Sequence, residues 1–213
     1  MTTSQHPPLP KRVFLKLKRI ARELDPVERE WSRAWPLIEP IQGWLHSGQE
    51  RWLFNTARAC PDRSNIVEIG SYRGRSSCSL GFGCQRSGKR VYAIDRFDGG
   101  PDLPQADSLE EFARNVERCG LSKIVQPVVG LSTEVAKTWS LPIRLLFVDG
   151  SHRYEDVVAD FAAFFPFVVP GGIVAFHDVE PSWPGVLRAW NEVIKRQLIE
   201  LGDCSTLSYG LKP

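Results

Sequence analysis

From residue 65 onward, short β-branched runs alternate with helical stretches, and no other feature constrains the fold of this chain as much. The runs are NIVEI (65–69), VYAID (91–95), IVQPVV (124–129), IRLLFVD (143–149) and GIVAFHD (172–178). Apolar residues at helical spacing fill the gaps near 75–86, 108–119, 131–138 and 153–165. Such alternation implies a parallel sheet covered by helices on both faces. Pro170-Gly171-Gly172 reads as the sharp turn into the fifth strand, and a last helix near 185–201 leads into CSTLSYGL. The expected fold is a doubly wound, mostly parallel α/β sheet with its ligand at the carboxyl ends of the strands.

The first sixty residues follow other rules. Residues 1–10 (MTTSQHPPLP) are polar and proline-rich and read as a disordered tail. Residues 11–24 place Val13, Leu17, Ile20 and Leu24 on one helical face, with Lys11, Arg12, Lys16, Lys18, Arg19 and Arg22 around it. That pattern fits a surface helix packed on the domain, or a basic amphipathic helix touching an anionic membrane. Residues 27–60 carry Trp31, Trp35, Trp44 and Trp52. The division is therefore a tail (1–10), an N-terminal helical extension or lid (11–60) and a ligand-binding domain (61–213). Net charge is only +2, which offers no global basic field for nucleic acid. Five scattered cysteines without a Cys-x-x-Cys pair point to reduced thiols. With no apolar run of membrane length and no signal-peptide core, a cytoplasmic protein is expected.

The first strand runs into a glycine turn, IGSYRGRSS (69–77). A dinucleotide turn needs a second glycine two residues after the first, so that the backbone can approach a pyrophosphate. Tyr72 stands there instead, and the Gly-Lys-Ser/Thr ending of a P-loop is absent. A ligand without phosphates remains, and S-adenosylmethionine is one. Its carboxylate can take backbone N–H groups at a helix start. Its ribose diol suits a carboxylate at the end of the second strand, where Asp95 lies.

IVEIGSYRGRSS resembles the first motif of class I S-adenosylmethionine-dependent methyltransferases, which have a Rossmann-like fold. It is particularly similar to that of the metal-dependent O-methyltransferases, whose motif runs V-x-E-I/L-G-x-Y-x-G-x-S. Glu68, Gly70, Tyr72, Gly74 and Ser76 match it one by one. The resemblance implies that Gly70, Ser71, Tyr72 and Ser76 surround the methionine end of the cofactor. It implies that Asp95 binds the ribose and that adenine lies against Gly130-Leu131-Ser132. Helix capping is the plainer role for Ser76 and Ser132. The chain after the last helix is short for the hairpin that closes this fold, so a reduced sheet edge is expected. A partner subunit in a homo-oligomer would complete it.

Two further stretches carry chemistry. In LLFVDGSHRYEDV (145–157), Asp149 ends the fourth strand and His152 opens the next helix. In GIVAFHDVEPSWPG (172–185), His177 and Asp178 end the fifth. Asp149, His177 and Asp178 would meet at one end of the sheet, two oxygen donors and one nitrogen suited to a divalent cation. Magnesium is the default, with manganese or iron as alternatives because a histidine takes part. In the resembling family an aspartate and a pair, usually Asp-Asn or Glu-Asp, hold the metal, so His177 is a departure. His152 stands where those enzymes carry a general base, and imidazole accepts protons near neutrality. Structural or surface roles are the alternatives for both histidines.

Trp44 and His46 are expected to fold over the cofactor mouth, Ser47 and Gln49 to cap a helix or touch the cofactor carboxylate. Trp183 is either a substrate wall or a core residue. The resulting expectation is an O-methyltransferase, assisted by a divalent metal, acting on a hydroxyl of a small molecule or sugar (a natural product or glycolipid). A non-catalytic binding protein of the same fold, and an iron oxygenase built on His152, His177 and Asp178, are the alternatives.

Overall fold

The computed structural model describes residues 25–85, 87–99 and 108–213. The basic segment 11–24 lies outside the described residues. Two helices come first: α1 (Pro26–Ile38), started by Asp25, whose carboxylate accepts from the Val27 N–H at 2.8 Å, and α2 (Gln49–Ala59). The alternating region follows as β1 (Asn65–Ile69), α3 (Arg75–Gly83), β2 (Arg90–Asp95), α4 (Leu109–Arg118), β3 (Val125–Val129), α5 (Ser132–Ala136), β4 (Ile143–Val148), α6 (Tyr154–Phe164) and β5 (Val168–Phe176). Then come α7 (Pro184–Ala189), which runs on through a π turn and a short 3-10 turn to Gln197, and the strands β6 (Ile199–Cys204) and β7 (Leu207–Leu211).

The seven strands form one sheet in the order β3-β2-β1-β4-β5-β7-β6. The first five are parallel, while β7 runs antiparallel to β5 and β6 antiparallel to β7. Strand order reverses between β1 and β4, which opens a crevice beyond their carboxyl ends.

Strand geometry explains why the central runs are continuously apolar. Side chains alternate across the sheet, and helices cover both faces, so no position is left for water. Leu145 and Phe147 of β4 enter the core under α1 to α4 with Leu53, Cys78 and Phe112. Leu146 and Val148 enter the opposite core with Phe161, Phe164 and Trp190. Complete burial of each such side chain contributes about 2 kcal/mol. Glu68 falls on the first face with no exposure, a carboxylate among apolar neighbours.

Two expectations are corrected here. Pro170-Gly171-Gly172 lies inside β5, not before it. Ile143 pairs with Val168 and Leu145 with Ile173, so the extra residues form a bulge. Gly171, at φ +68°, makes the bend, and its N–H goes to the Lys212 carbonyl at 2.8 Å. The second correction concerns the sheet edge. The last helix stops at Gln197 instead of reaching 201, which frees Ile199–Leu211 to form a complete hairpin across Ser205 and Thr206. The edge is filled by the chain itself, so the argument for a partner subunit falls.

Among the described residues no helix is long and apolar enough to cross a membrane. All five cysteines are free thiols.

Candidate active site

Gly70 makes the turn out of β1 with φ +85°, and a Cβ built there would sit on the Asp149 carbonyl oxygen. Only glycine fits, because both the backbone conformation and the approach of β4 exclude a side chain. Gly74 (φ +88°) sets the start of α3, and between them Tyr72 holds φ +45°. This conformation aims the N–H groups of Ser71 and Tyr72 at Asp95 Oδ2, at 2.7 and 2.8 Å. Asp95 Oδ1 accepts from Phe97 N–H at 2.7 Å. The acid at the end of β2 is thus locked to the turn. Oδ2 already accepts from two N–H groups, whereas Oδ1 accepts from one and still has a lone pair for a further donor.

Glu68 lies beneath the turn. Its Oε2 accepts from Ser71 Oγ at 2.9 Å and from Ser77 Oγ, while Oε1 has no partner. Burial pushes its carboxyl up to about 7 against the opposing hydrogen bonds from Ser76, Ser77 and Ser71. The side chains of Glu68, Ser71 and Ser77 therefore engage one another below the turn.

Beyond β3 the Gly130 N–H donates to the Asp95 carbonyl at 2.9 Å, which brings residues 130–132 beside the turn. Ser132 neither caps α5 nor stands alone: it is the first helical residue, and its hydroxyl donates to Asp160 of α6. Burial pushes Asp160 up to about 6 despite that bond. Val129 and Leu131, flanking Gly130, are 59% and 50% exposed, an apolar surface at a strand end. Leu131 was already expected beside adenine, and Val129 on the other side of the glycine is the residue that expectation left out.

Asp149 follows β4, and His177 and Asp178 follow β5, held level by Asp149 N–H to Ile69 O at 2.8 Å and His177 N–H to Val148 O at 3.0 Å. His177 is 3% exposed. Its Nδ1 lies 3.1 Å from Asp149 Oδ1 and 3.0 Å from Asp178 Oδ2, with a well-directed hydrogen bond to neither. One donor atom from each of the three residues lies within 4.8 Å of the others. Burial disfavours the imidazolium, but the two carboxylates outweigh it and push His177 up to about 10. Asp178 is held well below the usual carboxylate range: its burial is overcome by His152 and His177.

His152 Nε2 lies 3.0 Å from Asp178 Oδ2, and its ring stacks on Trp183 with centroids 3.7 Å apart and planes 18° off parallel. Trp183 is 39% exposed, so it is not a core residue. The sequence-derived residues Asp149, His152, His177 and Asp178 thus converge on one small cleft.

The segment between α1 and α2 lies over both the glycine turn and the His177 cluster. Trp44 packs on Tyr72 at 4.9 Å and His46 on His177 at 6.0 Å. Arg75 of α3 clamps this segment through the carbonyls of Glu39 and Ile41, at 3.0 and 2.8 Å, and through Glu50 at 2.6 Å. Ser47 is exposed, but Gln49 is fully buried and serves neither expected role. Gly48 caps α2, and the Gln49 side chain reaches His177 Nε2 at 2.9 Å. A buried amide this far from β5 in sequence carried no signal of that contact.

Residues 67–179, more than half of the chain, match a family described as a methyltransferase domain. The chain is 30% identical over 169 residues to the uncharacterized protein y4gI of Sinorhizobium fredii, an alignment covering 73% of this chain and 17% of that protein. It therefore spans less than a fifth of that relative's length. Among solved structures, an O-methyltransferase from Bacillus cereus in complex with SAH superposes with TM-score 0.63 at 17% identity, over 92% of this chain and 96% of that one. TomG, an O-methyltransferase of Streptomyces achromogenes in complex with SAM, gives TM-score 0.61 at 19% identity, over 94% and 96%. The chain belongs to the methyltransferase domain family, with the fold of class I S-adenosylmethionine-dependent methyltransferases.

Proposed function

We propose that this methyltransferase domain transfers the methyl group of S-adenosylmethionine to a hydroxyl of a small molecule or sugar, assisted by a divalent cation. The observation that carries this reading is His177 Nδ1, a buried nitrogen facing two carboxylates without a directed partner. A lone pair in that place would be repelled by both acids, so the site calls for a proton or a cation. Asp149, His177 and Asp178 suit magnesium or manganese, and iron less commonly. Bound there, such an ion would supply Lewis-acid stabilisation of a substrate oxygen.

The remaining roles belong to the chain's own residues. The turn Gly70–Gly74 would lie against the methionine end of the cofactor, with Asp95 on the ribose and Val129 and Leu131 against adenine. The last contact would set exposed apolar side chains against the base. His152 is the proposed base. Its Nε2 lies 3.0 Å from Asp178 Oδ2, and the imidazole so placed would accept the hydroxyl proton. Asp178 then stabilises the imidazolium, and Trp183 holds the ring plane and adds a cation–π contribution. Holding the two reactants at one crevice contributes through proximity.

Isothermal titration calorimetry with S-adenosylmethionine, with and without Mg²⁺, tests the reading. Micromolar binding is expected without the ion, and methyl transfer to a vicinal-diol acceptor is expected to stop on adding a chelator. No binding of the cofactor would sink the methyltransferase reading, and chelator-insensitive turnover would remove the cation.

A further inference from the structure

Gln49 is buried completely, yet it belongs to the segment before the sheet and lies 128 positions from the residue it contacts. The orientation of its amide is fixed by its partners. One end reaches the Cys204 carbonyl and Thr206 Oγ1, both at 3.1 Å. A carbonyl only accepts, so this end is the NH₂ group. The other end is then the oxygen, and it accepts the His46 backbone N–H at 2.6 Å. Both assignments agree. His177 Nε2 lies 2.9 Å from that same oxygen, so Nε2 must carry a hydrogen. The ring is thereby held with Nδ1 toward Asp149 and Asp178.

We propose that Gln49 is a positioning residue that selects Nδ1 of His177 as the nitrogen offered to a divalent cation. The inference rests on the cation reading above and goes beyond it by placing a determinant of that site outside the strand ends. The physical basis is that a ligating imidazole keeps its tautomer and ring orientation through the hydrogen bond made by its other nitrogen. Three separate elements meet on this one amide: the start of α2, the end of β5 and the turn between β6 and β7. The site is therefore complete only when the lid segment and the edge hairpin are both docked. Thr206 contributes twice, since its carbonyl also accepts the Val179 N–H at 2.9 Å just beyond the Asp178 ligand.

The probe is Mn²⁺ alone, with free ion counted by electron paramagnetic resonance during titration of the full chain. Gln49→Leu is expected to weaken Mn²⁺ binding about 10- to 100-fold, the usual effect of losing such a partner. Gln49→Glu, which keeps an acceptor facing Nε2, is expected to recover most of that loss. Affinity for S-adenosylmethionine without metal, measured by calorimetry, reports whether each variant is folded. A second readout needs no variant: long-range ¹H–¹⁵N spectra of the Mg²⁺-loaded wild type should show His177 protonated on Nε2 and not on Nδ1. A folded Gln49→Leu protein with wild-type Mn²⁺ affinity would overturn the inference and leave the cation reading standing, whereas a His177 protonated on Nδ1 would overturn the inference and remove His177 from the cation's ligands. A wild type that binds no Mn²⁺ would overturn both.

Discussion

At the ends of β1 and β2, Asp95 is held by three backbone N–H groups, whereas at the ends of β4 and β5, Asp149 and Asp178 face imidazole rings. The first half closes on itself. Its donors come from a turn whose path is fixed by Gly70 and Gly74, and they exist whatever side chains surround them. The second half is closed by side chains from distant parts of the chain, and it leaves one buried nitrogen without a directed partner. A self-satisfied half suits the binding of a whole ligand by shape. A half with concentrated charge and an unmet nitrogen suits chemistry.

Three substitutions would break or sharpen that contrast. The largest effect is expected from Gly70→Ala, because the added methyl group meets backbone on both counts, its own φ of +85° and the Asp149 carbonyl. A loss of about 4 kcal/mol or more is expected in urea denaturation; a loss under about 1 kcal/mol would show that the two halves are not pressed together. Next is His152→Ala, which should lower turnover about 10²- to 10⁴-fold, the contribution usual for a general base. Cofactor affinity should stay near wild type, since His152 lies in the other half. A parallel fall in both would dissolve the distinction between binding and chemical halves.

The smallest effect is expected from Glu68→Gln, and it reads through pH. The folded carboxyl is raised from an ordinary 4.5 to about 7. Between those values the folded state keeps a proton that the unfolded state has lost. Stability therefore declines as pH rises through that window, by about 3 kcal/mol in total. The glutamine variant should lose this share of the slope, measured as denaturant midpoints at pH 5 and pH 8. Identical slopes would mean that Glu68 ionises normally beneath the turn.

The same contrast explains how much the sequence disclosed. β1 to β4 and their helices were legible because burial on both faces forces apolar runs, and the turn because Gly70 and Gly74 have no substitute. Asp149, His177 and Asp178 could be grouped because each ends a strand, and parallel strands bring like ends together. Less local features were hidden. The β6–β7 hairpin turns on Ser205-Thr206, not on the Asn-Gly or Asp-Gly pair that usually marks such a turn, with Ser205 at φ +58°. Nothing like a glycine or proline marks the end of the preceding helix at Gln197. Gln49 looked like a capping residue because its contact with His177 depends on tertiary docking alone. Ser132 looked like a cap or a ligand contact, and its partner Asp160 is a helix away.

The contact of Gly70 with Asp149 has one further consequence. Where two ligands must meet end to end, a scaffold can adjust by sliding its parts or by leaving the parts fixed and selecting ligands of the right length. Backbone lies directly on backbone at this seam, so the first option is closed. On the function proposed above, the crevice would work as a gauge of fixed span, and differences in reach among acceptors would be taken up by the residues around Trp44 and Trp183.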